Sequence, residues 1–178
     1  MTDIPGCGAG GWTLVMKLNG TKNTFLYLSS LWTNKETYAA QDGLEGLTEK
    51  ESKLASYWNT PFTKICLGMS YKNTRKWMTF DYTATSLYSV IADGQFRATT
   101  AGRAAWKSLI VDSSLQKNCN REGFNVLSKM RIGLFANNEN DCRTCDSWIG
   151  YGTQINEKIC GNVYWRNHDL TFGYILVQ

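Results

Sequence analysis

The chain has 178 residues, enough for one domain with a substantial core, and its 43% hydrophobic content excludes a disordered chain. The net charge of +4 is spread along the whole length, with Lys72, Arg75 and Lys76 the tightest basic group, which is a solvated surface rather than a nucleic-acid stripe. No apolar run approaches the ~20 residues needed to span a bilayer, so neither nucleic acid nor membrane insertion is expected.

Residues 1–5 carry neither a basic start nor an apolar stretch, so no signal peptide is read there. Gly8, Gly10 and Gly11 precede a strand, whereas a phosphate site needs a helix N-terminus. Trp12, Leu14, Met16 and Leu18 alternate with other residues, which predicts a half-buried strand over 12–18, closed by a turn at Asn19-Gly20. Asn19-Gly20-Thr21 is also the single N-glycosylation sequon. Thr48 and Glu51 have capping-box spacing and predict a short helix ending before Asn59-Thr60-Pro61.

Residues 77–82 suit a pleated surface and predict a strand. Ser86 caps a predicted helix carrying Leu87, Tyr88, Val90 and Ile91, and Asp93-Gly94 closes it. Residues 104–110 read as a second short helix, and 130–135 and 172–177 as buried strands. Between those strands, 137–170 is polar, glycine-rich and without periodicity, the mark of a long functional loop. The expected fold class is α+β in a single domain over 1–178: a short, mostly antiparallel sheet, a few short helices and a large irregular C-terminal region.

Six cysteines, an even count in a loop-rich chain, suggest disulfides and an oxidising compartment, and hence a longer natural chain. Cys142 and Cys145 have the spacing of half a zinc site, but no second pair follows and His168 is the only histidine. Sequence leaves the disulfide pairing open.

Gly10-Gly11-Trp12-Thr13 soon after Cys7 resembles the opening of fibrinogen-like domains, and stretches 57–66 and 86–94 resemble invertebrate fibrinogen-related proteins. The C-terminal third is most similar to intelectins, the X-type lectins, through 130–133, 137–142, 149–152 and 160–161. That resemblance implies a fibrinogen-like domain that is secreted and calcium-dependent and recognises glycans. It implies a calcium ion that coordinates a vicinal diol of the sugar, with Asn137 and Glu157 as its protein ligands, Asn140 where that family has a histidine, and Tyr164 and Trp165 as an aromatic cage.

The residues also speak for themselves. Calcium takes six to eight oxygens, and Asn137, Asn140 and Asp141 crowd such oxygens around Cys142, with Glu157 and Asn162 following. These five are the expected Ca2+ ligands; Asn and Asp making turns through their own backbone is the competing account. Asn140, Glu157, Tyr164, Trp165 and His168 are the expected ligand-binding residues, Tyr164 and Trp165 by stacking on a sugar or else by packing in the core. No GxSxG, HExxH, P-loop or GxGxxG motif precedes a fitting element, so catalysis is not expected. The function read from the sequence is a secreted, calcium-dependent lectin-like module for cell-surface or microbial glycans. A structural or adhesion domain contacting extracellular matrix proteins is the alternative. Avidity in such modules comes from a homo-oligomer.

Overall fold

A computed structural model describes residues 1–154, 160–164 and 167–178, the side chains of Cys160 and Asn167 excepted. A small ribbon of β1 (Asp3–Ile4) and β2 (Gly8–Ala9) precedes β3 (Thr13–Asn19), a 3-10 turn at Ser30–Trp32, α1 (Ala40–Leu44), β4 (Ser52–Lys53) and α2 (Ser56–Asn59). The long hairpin of β5 (Phe62–Tyr71) and β6 (Thr74–Ala84) comes next, then α3 (Leu87–Ile91), β7 (Arg97–Ala98) and α4 (Arg103–Lys107). Strands fill the rest: β8 (Asn118–Val126), β9 (Met130–Asn137), β10 (Ser147–Thr153), β11 (Cys160–Tyr164), β12 (Asn167–Leu170) and β13 (Phe172–Val177).

Two larger antiparallel sheets carry the molecule, one in the order β4-β3-β13-β5-β6 and one in the order β12-β11-β10-β9-β8-β7. They bury a common core, with Met16, Leu67, Met69 and Ile175 from the first and Phe124, Ile132, Leu134 and Ile149 from the second. Each such side chain contributes roughly 1.5–3 kcal/mol by leaving water. Tyr151 stitches the layers together, its hydroxyl donating to the Gly68 carbonyl at 2.8 Å. The last strand, β13, lies between β3 and β5, so the two ends of the chain share one sheet. Among the described residues no helix is long and apolar enough to cross a membrane.

This overturns the expected α+β, fibrinogen-like architecture. Strand accounts for 44% of the chain and helix for 13%, the helices being single short turns of four or five residues. The expected irregular region 137–170 holds β10, β11 and β12. Alternation fails there because β10 is buried on both faces at every position, Ser147 and Thr153 included, so no polar face marks the strand. Glycines add to the disguise. Gly123, Gly133, Gly150 and Gly161 stand side by side across β8, β9, β10 and β11. A Cβ at Gly150 would lie 2.3 Å from Met130 Sδ and 2.4 Å from the Ile132 carbonyl oxygen, so the Met130 thioether uses the space that a side chain would need.

The expected helix from Thr48 does not form. Lys17, fully buried on β3, donates through Nζ to Thr48 Oγ1 at 2.8 Å and to the carbonyls of Asp42 and Gly46. Glu51 is likewise drawn inward, accepting from Thr24 Oγ1 at 2.6 Å and from the Asn19 amide. Both capping-box side chains thus serve a buried lysine and a neighbouring loop, and β4 follows instead. The Ser86 cap is present: its hydroxyl accepts from the Ser89 amide, Ser89 returns the bond, and α3 runs over Leu87–Ile91. The helix expected at 104–110 is the shorter α4, and the strand expected at 77–82 lies within β6.

Two disulfides, Cys7–Cys66 and Cys119–Cys142, are formed. The first fixes the N-terminal segment to β5; the second fixes the loop after β9 to the start of β8. Cys145 is a free thiol packed against the small apolar cluster of Val126, Met130, Phe135, Trp148 and Val163.

Candidate functional site

The β5–β6 hairpin turns through Lys72 and Asn73, both at positive φ (49° and 61°), the two-residue geometry that matches strand twist. Asn is suited to that conformation; Lys72 adopts it at a cost of roughly 1–2 kcal/mol. The turn projects Tyr71, Lys72 and Thr74 towards the outer strands β11 and β12 of the other sheet. The loop after α4 closes the remaining side with Val111, Asp112 and Ser114.

Between these three elements lies a polar cleft of about 540 Å³, completed by Asn162, Tyr164, His168 and Asp169. Tyr71 donates its hydroxyl to Asp169 Oδ1 at 2.7 Å. That hydrogen bond, with some burial, raises the Tyr71 pKa above the ordinary phenol value, while Lys72, its Nζ 5.1 Å above the Tyr71 ring, works against the rise. Asn162 is a clamp: its Oδ1 accepts from the Ser114 amide and its Nδ2 donates to the carbonyls of Ser114 and Trp148, each at 3.0 Å. It holds the 111–114 loop onto β11. His168 is exposed on the edge strand β12, and Val111 is half exposed at the rim.

Three of the expected residues, Asn162, Tyr164 and His168, therefore meet in one cleft. Glu157 and Trp165 lie outside the described residues. Asn137, Asn140 and Asp141 gather elsewhere, at the loop tied by Cys119–Cys142. Asn137 is fully buried, and its Nδ2 donates to the Asp141 carbonyl at 3.0 Å. Asp141 Oδ1 accepts from the Arg143 amide at 2.8 Å, a turn that the side chain makes with its own backbone. Asn140 is exposed.

Asn137 Oδ1 is buried without a hydrogen-bond partner among the described residues, as an oxygen turned to a cation would be. Asn162 pairs across to Ile149 and Ile149 to Leu134, which puts Asn137 two strands away and three residues further along. At about 3.3 Å per residue and 4.8 Å per strand the two Cα atoms are roughly 14 Å apart, too far for one ion bound at about 2.3–2.6 Å. Asn162 Oδ1 is also committed to Ser114. Among the described residues no group of three or more His, Cys, Asp or Glu side chains is placed to hold a metal. Asn137 and Asn162 therefore do not share one calcium ion.

No family model, curated protein or solved structure matches the chain. What the cleft can do follows from its own chemistry. Two phenol rings supply flat apolar faces with polar edges. Asp112 and Asp169 supply acceptors, Lys72 supplies a cationic donor, and Thr74 and Ser114 supply hydroxyls. Ser147 is buried with its hydroxyl accepting from the Gln116 amide, and burial raises the Cys145 thiol pKa, opposite to what thiolate activation requires.

Sequence reasoning gave no site role to Tyr71, to Lys72 beyond its place in a basic surface group, or to Thr74, nor to Asp112 and Asp169. Asn73 between two strand-like stretches was the available signal for the first three, since Asn in that place marks a hairpin tip.

Proposed function

We propose that this protein is an extracellular, non-catalytic recognition domain that binds carbohydrate in the cleft between the β5–β6 tip and the β11–β12 edge. The observation that carries the reading is the composition of the cleft: Tyr71 and Tyr164 together with Asp112 and Asp169 in an open polar hollow of about 540 Å³. A pyranose ring offers an apolar face to an aromatic ring and a rim of hydroxyls to carboxylates. Tyr164 takes the stacking role. Asp112 and Asp169 accept sugar hydroxyls, and Lys72 donates to ring or hydroxyl oxygens. Asn162 positions the Asp112 loop without touching the sugar. Two disulfides belong with an oxidising compartment and support the extracellular setting.

In this reading the sugar is held by side chains directly. The separation of Asn137 from Asn162 removes Asn162 from any calcium site built on Asn137. A glycan array probed with calcium and with chelator tests both points. The expected outcome is a set of bound glycans unchanged by chelator and weakened at least about tenfold, or about 1.4 kcal/mol, in Tyr164→Ala and Asp112→Ala, with Asn140→Ala unaffected. No bound glycan in either condition, with retention of matrix protein instead, would transfer the function to adhesion.

A further inference from the structure

The sequon at the end of β3 is not used by the cleft, and its geometry points to a modification site. Asn19 is the last residue of β3, and the chain turns at once through Gly20, whose amide donates to the Thr171 carbonyl at 2.9 Å. Asn19 Oδ1 accepts from both the Thr21 amide at 2.9 Å and the Thr21 hydroxyl at 2.7 Å. Both bonds use the carbonyl oxygen of the amide, so the nitrogen Nδ2 makes none among the described residues. Thr21 is exposed, and Asn19 is partly so. A group added at Nδ2 therefore displaces no native hydrogen bond.

We propose that Asn19 is N-glycosylated during export. The donor is a lipid diphosphate-linked oligosaccharide. Nδ2 attacks the anomeric carbon of its first sugar, the carbon–oxygen bond to phosphate breaks, and the C1–Nδ2 bond forms. The diphosphate leaves with the bonding electron pair, and one Nδ2 proton is lost. The attached glycan then covers a shallow hollow of about 310 Å³ beside Asn19, lined by Glu49, Ser70, Tyr71 and Lys72 among others. Tyr71 and Lys72 line the sugar-binding cleft as well, so the glycan stands next to its mouth. The inference rests on the extracellular setting and not on what the cleft binds.

The test is secretion of the full chain from a eukaryotic cell behind an export leader, with intact mass measured before and after peptide N-glycosidase. The expected result is a mass excess equal to one N-linked glycan, removed by the glycosidase with conversion of Asn19 to aspartate. The excess is absent from Asn19→Gln and Thr21→Ala and kept in Thr21→Ser, which preserves the hydroxyl. A secreted, folded wild-type chain at its unmodified mass would overturn the proposal. So would an excess that survives both Asn19→Gln and Thr21→Ala. Glycan arrays read the cleft separately, so a chain modified at Asn19 that binds no sugar leaves this site standing.

Discussion

Tyr71 and Asp169, 98 residues apart in sequence, are joined by a 2.7 Å hydrogen bond that ties the tip of the β5–β6 hairpin to the edge strand β12. The bond spans the mouth between the two sheets, so it sets the width of the cleft more than it holds the fold. A partly exposed bond of this kind is worth about 1 kcal/mol.

Tyr71→Phe keeps the ring and removes only the hydroxyl. The expected outcome is a melting temperature lowered by no more than about 4 °C, with glycan binding weakened as Asp169 is released. The wild-type bond depends on pH with a definite sign. The folded-state pKa of Tyr71 is raised, so its contribution is fully present below the unfolded value near 10 and is lost as pH rises through the folded one. Binding measured from pH 7 to 11 should fall more steeply at the alkaline end in wild type than in Tyr71→Phe. Parallel profiles would mean that the hydroxyl does not shape the cleft.

Removing the Cys119–Cys142 disulfide separates the two places where the sequence put its functional residues. The double variant Cys119→Ser/Cys142→Ser should lose about 2–4 kcal/mol of stability, since the cross-link closes a loop across a sequence separation of 23 residues. Glycan binding below the new melting temperature should be unchanged, because no cleft residue lies in 137–146. Loss of binding in the folded variant would return that loop to the site.

Lys53 is buried without a carboxylate against it. Its Nζ donates to Asn34 O and Oδ1 and lies 4.7 Å from the centre of the Tyr57 ring. Burial pushes its pKa down to about 8, with Glu36 opposing. A depressed lysine contributes stability that is fully present above its unfolded pKa near 10.4 and lost as pH falls through 8. Lys53→Met, which strands two acceptors, should cost about 1–3 kcal/mol at pH 7. Wild type should then gain on the variant in urea unfolding between pH 8 and 10. An equal pH response in both would show that the ammonium is not desolvated.

Gly150→Ala tests the glycine row. Its Cβ would meet the Ile132 carbonyl at 2.4 Å as well as Met130 Sδ. A flexible thioether can move, but a strand carbonyl cannot. The expected loss is about 1–3 kcal/mol, read as a lower urea midpoint and not recovered by adding Met130→Ala. Full recovery would place the whole conflict on the methionine.

Several local features were legible in the sequence because a few adjacent residues decide them. The Ser86 cap with α3 and the strand at 12–18 are of this kind. The capping box at Thr48 and Glu51 was a local signal of equal strength, and it failed because Lys17, distant in sequence, claimed Thr48. The strands in 137–170 were illegible for a related reason: a strand covered on both faces has no alternation to show.

By itself the sequence determined that this chain folds as an ordered, disulfide-bearing unit with a sequon at Asn19 and a polar aromatic C-terminal region. Only the tertiary structure decided that the fold is mostly β, that Cys7 pairs with Cys66 and Cys119 with Cys142, and that Tyr71 and Asp112 join Tyr164 in one cleft. It also decided that Asn137 and Asn162 stand apart. The physical reason is one of range. Caps, turns and sequons are settled within a few residues, whereas a sheet register and a cleft between two sheets depend on contacts across most of the chain.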